Sequence, residues 1–223
     1  MRSIALACAT GVSLFLVAPA SAASFGGASV DYSLSLPETD GVVLDILDDL
    51  TTSDTDFGGV GVATASAGAT DLTAAISGTS DVNGTGFASA RADASSFFIA
   101  ENTTADPVSY LFDLAYTVSA DASSLAPDSD DVFAYADLSV EDQSGQVLFE
   151  RELSFETFEL GQDTVSGTEQ ITLPLTAAGF NSAEVFAEVS TGATSSLAPI
   201  PLPAAGWMLL AGLGGLAGLR RRA

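Results

Sequence analysis

Closely spaced aspartates are the residues whose chemistry can be specified first. Asp128, Asp130 and Asp131 lie in one predicted loop between two runs of alternating hydrophobic residues. Calcium binds through several oxygen ligands, which neighbouring carboxylates supply. The loop therefore predicts a calcium site, and a solvated acidic loop without metal is the alternative. A second acidic segment has the same two interpretations and contains Asp48, Asp49, Asp54 and Asp56.

The missing residue types restrict catalysis. The chain has no His, its six basic residues are all Arg, and its single cysteine, Cys8, lies near the N-terminus. A Ser–His–Asp triad, a Cys–His pair, a lysine Schiff base and a His-ligated metal are therefore excluded from the body. Carboxylate-pair chemistry, as in glycosidases, is compatible with the composition. With 29 acidic residues, however, chance pairs are expected, so we predict that the protein is not an enzyme.

The charge is strongly one-sided. All 29 acidic residues lie between Asp31 and Glu188, where Arg91 and Arg151 are the only basic residues, giving this region a formal charge of −27 (2 minus 29). Such a surface repels nucleic acid and anionic lipid, so neither is a predicted partner. Because 47% of the residues are hydrophobic, we expect a packed core rather than a disordered acidic chain.

The N-terminal residues have the pattern of a secretory leader. Arg2 precedes a mostly apolar run over residues 4–17, and Ala20 and Ala22 then form an Ala-x-Ala cleavage box. We predict a signal helix over residues 1–22, removed by signal peptidase so that Ala23 becomes the first residue.

The C-terminal residues predict a transmembrane helix. An uncharged stretch from Ala204 to Leu219 would span roughly 24 Å as a helix, slightly less than a bilayer core. It is preceded by two prolines, which cannot continue a helix, and is followed by an arginine cluster. The positive-inside rule keeps that cluster cytoplasmic and places the body outside the inner membrane, in agreement with the leader.

These C-terminal features together resemble the PEP-CTERM class of sorting signals, in particular the variant named VPLPA-CTERM. The residues that carry the resemblance are Ile200, Pro201, Leu202, Pro203 and Ala204, with Arg220, Arg221 and Arg222 at the end. The only departure from the variant's motif is Ile200 in place of Val. The resemblance implies processing by an exosortase in a Gram-negative bacterium that makes extracellular polysaccharide. It covers about the last two dozen residues and so concerns the route of the protein, not the role of its body.

The body between the two ends has the period-two pattern of β-strands. Hydrophobic residues alternate with polar ones over residues 108–118, 132–140 and 147–155, and weaker patterns occur at 29–36, 60–66, 72–77, 87–100, 168–173 and 184–190. Many short strands separated by Gly, Asn and Asp favour an antiparallel β-sandwich, jelly-roll or immunoglobulin-like. One segment disagrees, because Val43, Ile46, Leu47 and Leu50 have helical spacing and predict a short helix over 42–51. We expect a body over residues 23–190, a linker over 191–199 and the sorting signal over 200–223.

Aromatic and basic residues of the body give further expectations. Tyr110, Tyr116 and Tyr135 fall on alternating strands as core residues, which leaves Tyr32 as the tyrosine available to stack against a sugar. Both body arginines share the phase of hydrophobic neighbours. We therefore predict that each is partly buried and hydrogen-bonded to carboxylates, with outward-turning bulges as the alternative.

The sequence thus predicts a non-catalytic exported protein, transiently anchored in the inner membrane and then located at the cell surface or outside the cell. Its body would act by binding or adhesion. A module that binds the cell's extracellular polysaccharide is the alternative, and a carboxylate-pair glycosidase is a third.

Overall fold

The computed structural model describes residues 23–47, 49–70, 72–125 and 130–196. Over these ranges the chain forms nine β-strands and no helix, which confirms the predicted all-β class. The strands are β1 (Ala23–Ser35), β2 (Val42–Ile46), β3 (Leu50–Thr70), β4 (Thr73–Asn102), β5 (Val108–Ser124), β6 (Asp131–Asp142), β7 (Val147–Glu156), β8 (Gly161–Leu175) and β9 (Phe180–Ser195). Every strand pairing is antiparallel, as predicted. Within the described ranges, no helix has the length and apolar character needed to cross a membrane.

Alternation of inward hydrophobic and outward polar side chains makes these segments strands. In β5 the side chains of Tyr110, Phe112 and Leu114 are buried, while Asp113 lies on the opposite face. In β6 the buried Ala136 and Leu138 alternate in the same way with polar neighbours. Burying one face of each strand fixes its register, since a shift of one residue would turn every hydrophobic side chain outward.

The nine strands form one connected sheet with two branches that diverge from β4. Strand β3 occupies one edge of β4 along residues 73–95, so β1 and β9 share the other edge in succession. The first branch continues from β1 to β5 and β8, and the second from β9 to β6 and β7. The predicted sandwich would divide the strands between two separate sheets, whereas here the long β3–β4 hairpin belongs to both branches.

Glycines bend the hairpin where it passes from one branch to the other. The β3–β4 register shifts between Gly59 and Gly61, and both Gly59 and Gly84 have positive φ angles, of 69° and 129°. A Cβ atom on Gly61 would collide with the carbonyl oxygen of Phe87. Only glycine accommodates both the backbone conformation and the close approach, so a glycine-rich bulge forms the corner.

The two branches pack face to face and enclose a single main core, so that the sheet is nearly barrel-shaped. Phe98 of β4 contacts Phe112 of β5 edge to face, with ring centroids 5.1 Å apart. Tyr116 of β5 packs against Phe149 of β7 at the same centroid distance. These aromatic pairs join strands of opposite branches and add stabilisation beyond simple burial.

The helix predicted over 42–51 is wrong. Residues Val42–Ile46 form β2, which pairs with the end of β4, and β3 begins at Leu50. Val43, Ile46 and Leu50, which suggested a helical face, are all more than half exposed and so share no buried surface. Backbone pairing to the long β4 determines the structure of this segment instead.

The structure describes only part of the predicted ends of the body. The signal helix and the transmembrane helix lie outside the described residues. Strand β9 runs to Ser195 and thus includes the first half of the segment predicted as a linker over 191–199. This small, polar stretch is held between β4 and β6, and Thr191 is fully buried with its hydroxyl 2.8 Å from that of Ser80.

Candidate functional site

Four carboxylates lie in a row across the outer face of the second branch. Asp93 of β4 is directly opposite Glu188 of β9, Glu188 is opposite Asp137 of β6, and Asp137 is opposite Glu152 of β7. Directly opposed residues have Cβ atoms about 5 Å apart, and like charges so placed repel each other. We call this surface, with Arg91 and Tyr135 in the adjoining row, the acidic face.

Asp137 is the electrostatic centre of the acidic face. Partial burial, together with the charges of Glu150, Glu152 and Glu188, raises the pKa of its carboxyl group to about 6. Its Oδ1 atom is buried and has no hydrogen-bond partner among the described residues. The face therefore holds one carboxyl group that takes up a proton far more readily than an ordinary aspartate.

Arg91 bridges the first two carboxylates of the row. Its Nε lies 3.2 Å from Asp93 Oδ2, and its Nη2 lies 3.1 Å from Glu188 Oε1. The hydroxyl of Thr52 donates a further hydrogen bond of 2.9 Å to Asp93 Oδ2. The predicted carboxylate partners of Arg91 are thus confirmed. Its predicted burial is wrong, because the side chain is 55% exposed on the outer face.

Tyr135 lies beside the carboxylate row rather than in the core where we expected it. Its strand phase places it half-buried on the outer face of β6, between Ser154 and Ser190 of the neighbouring strands. Partial burial, aided first by the charge of Asp137, raises the pKa of its hydroxyl to about 12, so the group stays protonated and able to donate a hydrogen bond. Arg91 lies opposite Ser190 on the far side, in the same row as Tyr135.

The other tyrosines belong to the core. Tyr110 and Tyr116 are buried, as predicted. Tyr32, predicted to be available for sugar stacking, is also buried, with its hydroxyl 2.8 Å from that of Ser96. Tyr135 is therefore the tyrosine that reaches the outer surface of the described strands.

For Arg151 the predicted partial burial is confirmed, whereas the predicted carboxylate partners are not found among the described residues. Its side chain is partly buried, in the phase of the core, with the guanidinium 5.9 Å from the ring centroid of Tyr116 and 5.8 Å from that of Phe149. Its Nη2 donates a 3.3 Å hydrogen bond to the Tyr116 hydroxyl. Among the described residues it has no carboxylate partner within salt-bridge distance, and its buried Nε is unpaired. Aromatic faces take the place of the predicted carboxylates.

The described part of the predicted calcium loop is engaged by hydroxyl groups. Asp130 is buried, and its carboxylate accepts hydrogen bonds from Ser24 (2.6 Å), Ser124 (2.9 Å) and Ser195 (3.0 Å), which fasten the ends of β1, β5 and β9. Asp131 is exposed and accepts a 2.7 Å bond from the Thr157 hydroxyl.

The calcium site itself stays a prediction, because Asp128 lies outside the described residues. No group of three or more acidic side chains in the described ranges is arranged to hold a metal ion. In the second acidic segment, Asp54 and Asp56 are exposed on β3, and Asp48 is outside the described residues.

A shallow groove lies on the outer face of the first branch. It has a volume of about 520 Å³ and runs across β1, β5 and β8. Asp31, Thr117 and Ser166 form one cross-strand row of its lining, while Ser33 and Thr168 flank Ala115 in the next row. The groove is therefore lined with hydroxyl groups around a single carboxylate.

The residues of the predicted processing sites are not positioned by the structure. Ala20 and Ala22 of the cleavage box, the motif over 200–204 and the arginines at 220–222 all lie outside the described residues, while Ala23 begins β1.

Comparison with known proteins provides no family: no protein-family model, no curated protein and no solved structure matches this chain.

The acidic face was not predicted from the sequence. Alternation marked Asp137 as an outward residue, but the row exists only because of the cross-strand register, which a single sequence does not specify.

Proposed function

We propose that this chain is a non-catalytic exported protein of the cell surface or extracellular matrix, and that its body binds a polymeric ligand through the acidic face. The observation that carries the proposal is the position of Tyr135, half-buried on an open sheet surface, in the same cross-strand row as Arg91 and next to the carboxylate row. An aromatic ring offers apolar contact, while adjacent carboxylates and a guanidinium offer fixed hydrogen-bonding groups.

A polysaccharide is the ligand class that this combination suits best. Sugar rings present apolar C–H faces to an aromatic ring and hydroxyl groups to carboxylates and to arginine. The charge of the body restricts the class of polysaccharide further, because −27 (2 minus 29) repels an anionic polymer. We therefore propose a neutral or amino-sugar polysaccharide.

The test is binding of soluble neutral, amino-containing and acidic polysaccharides, with Tyr135→Thr as the variant. Threonine suits a strand but removes the ring, so we expect binding to weaken about tenfold, equivalent to about 1.4 kcal/mol. Leu111→Thr is the matched control, since Leu111 is an exposed residue on the outer face of β5 in the other branch. Equal affinity of wild type and Tyr135→Thr for every polymer would contradict the proposed site.

The groove of the first branch is a second place where a glycan could bind. Thr168→Tyr would fill it, and Thr172→Tyr places the same side chain further along the outer face of β8, outside the groove. If only Thr168→Tyr reduces binding, the ligand occupies the groove instead of the acidic face.

A glycosidase remains the alternative function, and Asp137 is the observation that favours it. A carboxyl group with a pKa near 6 directly opposite a second carboxylate, Glu152, has the features of an acid–base pair. Incubation with each bound polysaccharide, followed by measurement of reducing ends, separates the two functions. Hydrolysis that is lost in both Asp137→Asn and Glu152→Gln would establish the enzyme.

The route to the surface is proposed from the sequence. The Ala20–Ala22 cleavage box and the PEP-CTERM-like motif over 200–204 support export, removal of the leader and later processing by an exosortase. The mass of intact protein extracted from the cell surface tests this, with a chain that starts near Ala23 and ends near 201–204 as the expected result. A main mature form that retains Trp207 and the terminal arginines would contradict the processing step. We also propose that the body is related to β-sandwich modules, of jelly-roll or immunoglobulin-like type; its two packed branches support this, although the β3–β4 hairpin joins them into one sheet.

A further inference from the structure

The second half of β3 is a long unprotected sheet edge. In the described part of the chain, β3 pairs only with β4, so no other described strand bonds to its outer edge. We call the stretch Val62–Gly68, which follows the bulge, the edge segment. Its side chains alternate between half-buried alanines on the inner face and exposed residues such as Thr64 and Ser66 on the outer face. An exposed edge of this kind is a template for pairing with another strand.

The absence of charged residues distinguishes the edge segment from the other sheet edges. No charged residue occurs from Phe57 to Thr70, whereas the body as a whole carries −27 (2 minus 29). The first half of β3 carries Asp54 and Asp56 near its middle, so pairing with itself would bring carboxylates together. Two copies of this chain approach each other with least repulsion along the edge segment.

The other sheet edges are protected in ways that the edge segment is not: β2, which also pairs only with β4, is just five residues long and carries Asp45. Strand β7 carries Glu150, Arg151 and Glu152, and β8 carries two acids and Pro174, which cannot donate a ladder hydrogen bond. Charged residues and proline on edge strands are common devices against edge-to-edge association. The edge segment has neither charge nor proline.

We propose that the edge segment is a self-association surface, at which β3 of one copy pairs antiparallel with β3 of a second copy. A two-fold axis perpendicular to the sheet at Ser66, within the edge segment, keeps the inner faces of the two copies on the same side. It places Ala65 opposite Ala67, Thr64 opposite Gly68, and Ser66 opposite its own symmetry mate. The alanine row of one copy then continues into that of the other, and no charge is buried.

Charge reversal at the two-fold axis tests this surface. Ser66→Lys and Ser66→Asp each place like charges about 5 Å apart in the pair, so each variant should self-associate about fivefold more weakly than wild type. An equimolar mixture of the two variants places opposite charges there and should recover the association. The measurement is sedimentation of the purified full chain in mild detergent, at low and high salt, where salt should strengthen association because it screens the overall repulsion.

Ser77 provides the matched control. It lies directly opposite Ser66 on β4, is exposed on the same face, and is one strand further from the partner. In the proposed pair the two Ser77 residues lie about 14 Å apart, three strand spacings, so Ser77→Lys and Ser77→Asp should leave association near the wild-type value. A wild-type chain that is monomeric at all concentrations and salt levels would overturn the proposal. So would equal effects at Ser66 and Ser77, or a mixture of Ser66 variants that fails to associate.

Discussion

Asp137→Asn should stabilise the protein at neutral pH and have little effect in acid. Raising the carboxyl pKa from 3.8 to about 6 means that the folded state holds the proton more tightly than the unfolded state does. Ionisation of Asp137 therefore destabilises the fold as the pH rises through this window, and the penalty is complete above about pH 7. The penalty falls as the pH is lowered through this window, and below about pH 3 the carboxyl group is protonated in both states and the penalty disappears.

The magnitude follows from the shift and from the exposure of the group. A change of the Asp137 pKa from 3.8 to about 6 corresponds to about 3 kcal/mol. Asp137 is only partly buried, and solvent screening reduces such an interaction, so we expect about 1 kcal/mol. Asparagine removes the charge, keeps the shape, and supplies N–H donors toward the carboxylates of Glu152 and Glu188.

The assay is urea unfolding at low salt between about pH 4 and pH 8, because urea is uncharged and leaves the repulsion unscreened. Asp121→Asn is the matched control: it removes one charge from a half-buried outer-face aspartate whose cross-strand neighbours are Gly27 and Gln162. The free energy of unfolding should rise with pH for Asp137→Asn relative to wild type, and much less for Asp121→Asn. Equal gains in the two variants, or a gain independent of pH, would refute the role of the carboxylate row.

Other residues lead to further predictions. Asp130→Ala should lower the free energy of unfolding, measured with urea, by roughly 3 kcal/mol, because three serine hydroxyl groups, two of them buried, lose their shared acceptor; a loss below about 1 kcal/mol would contradict this. Arg151→Leu should be neutral or stabilising by about 1 kcal/mol, since it removes a buried Nε without a partner; strong destabilisation would reveal a missed contact. The thermal midpoint should rise between about 0.05 and 1 M NaCl as carboxylate repulsion is screened, and a flat midpoint would refute that reasoning. A calcium site would add a saturable rise beyond that of NaCl at equal ionic strength, reduced in Asp131→Asn; calcium that merely follows ionic strength would leave a solvated loop.

The strands that could be predicted are those with strong contrast between their two faces. Residues 147–155 agree with the observed strand nearly to its ends, because Phe149, Leu153 and Phe155 alternate there with Glu or Ser. In β3 and in the first half of β4, Ala, Gly, Ser and Thr occupy both faces, so periodicity revealed only fragments of strands that are 21 and 30 residues long. The same weak contrast allowed four apolar residues near 43–50 to suggest a helix.

The candidate site could not be predicted because it depends on relations between strands. The four acids of the row are far apart in the chain, and in the sequence each looks like an ordinary outward-facing acid. They are Asp93, Asp137, Glu152 and Glu188. Tyr135 was assigned to the core because its strand is rich in hydrophobic residues, yet its phase is that of Asp137. Arg151 shows the opposite case: its strand phase correctly predicts an inward side chain, but the partner of its guanidinium is a tyrosine 35 positions away in the chain.

The distribution of charge connects the acidic face with the uncharged edge. Acids on outward positions of nearly every strand keep the body soluble and repel most macromolecules, including other copies of the same chain. Because the rest of the body repels other macromolecules, two local departures from this acidic pattern are candidate binding surfaces. At Tyr135 an aromatic ring and an arginine interrupt the acids, which favours a ligand that offers hydroxyl groups and no negative charge. Along Val62–Gly68 the acids are missing and the backbone is open, which favours a second copy of the same strand. A protein that bound a polymer at the first surface and itself at the second would cross-link that polymer, and screening by salt would strengthen the self-association without adding any contact.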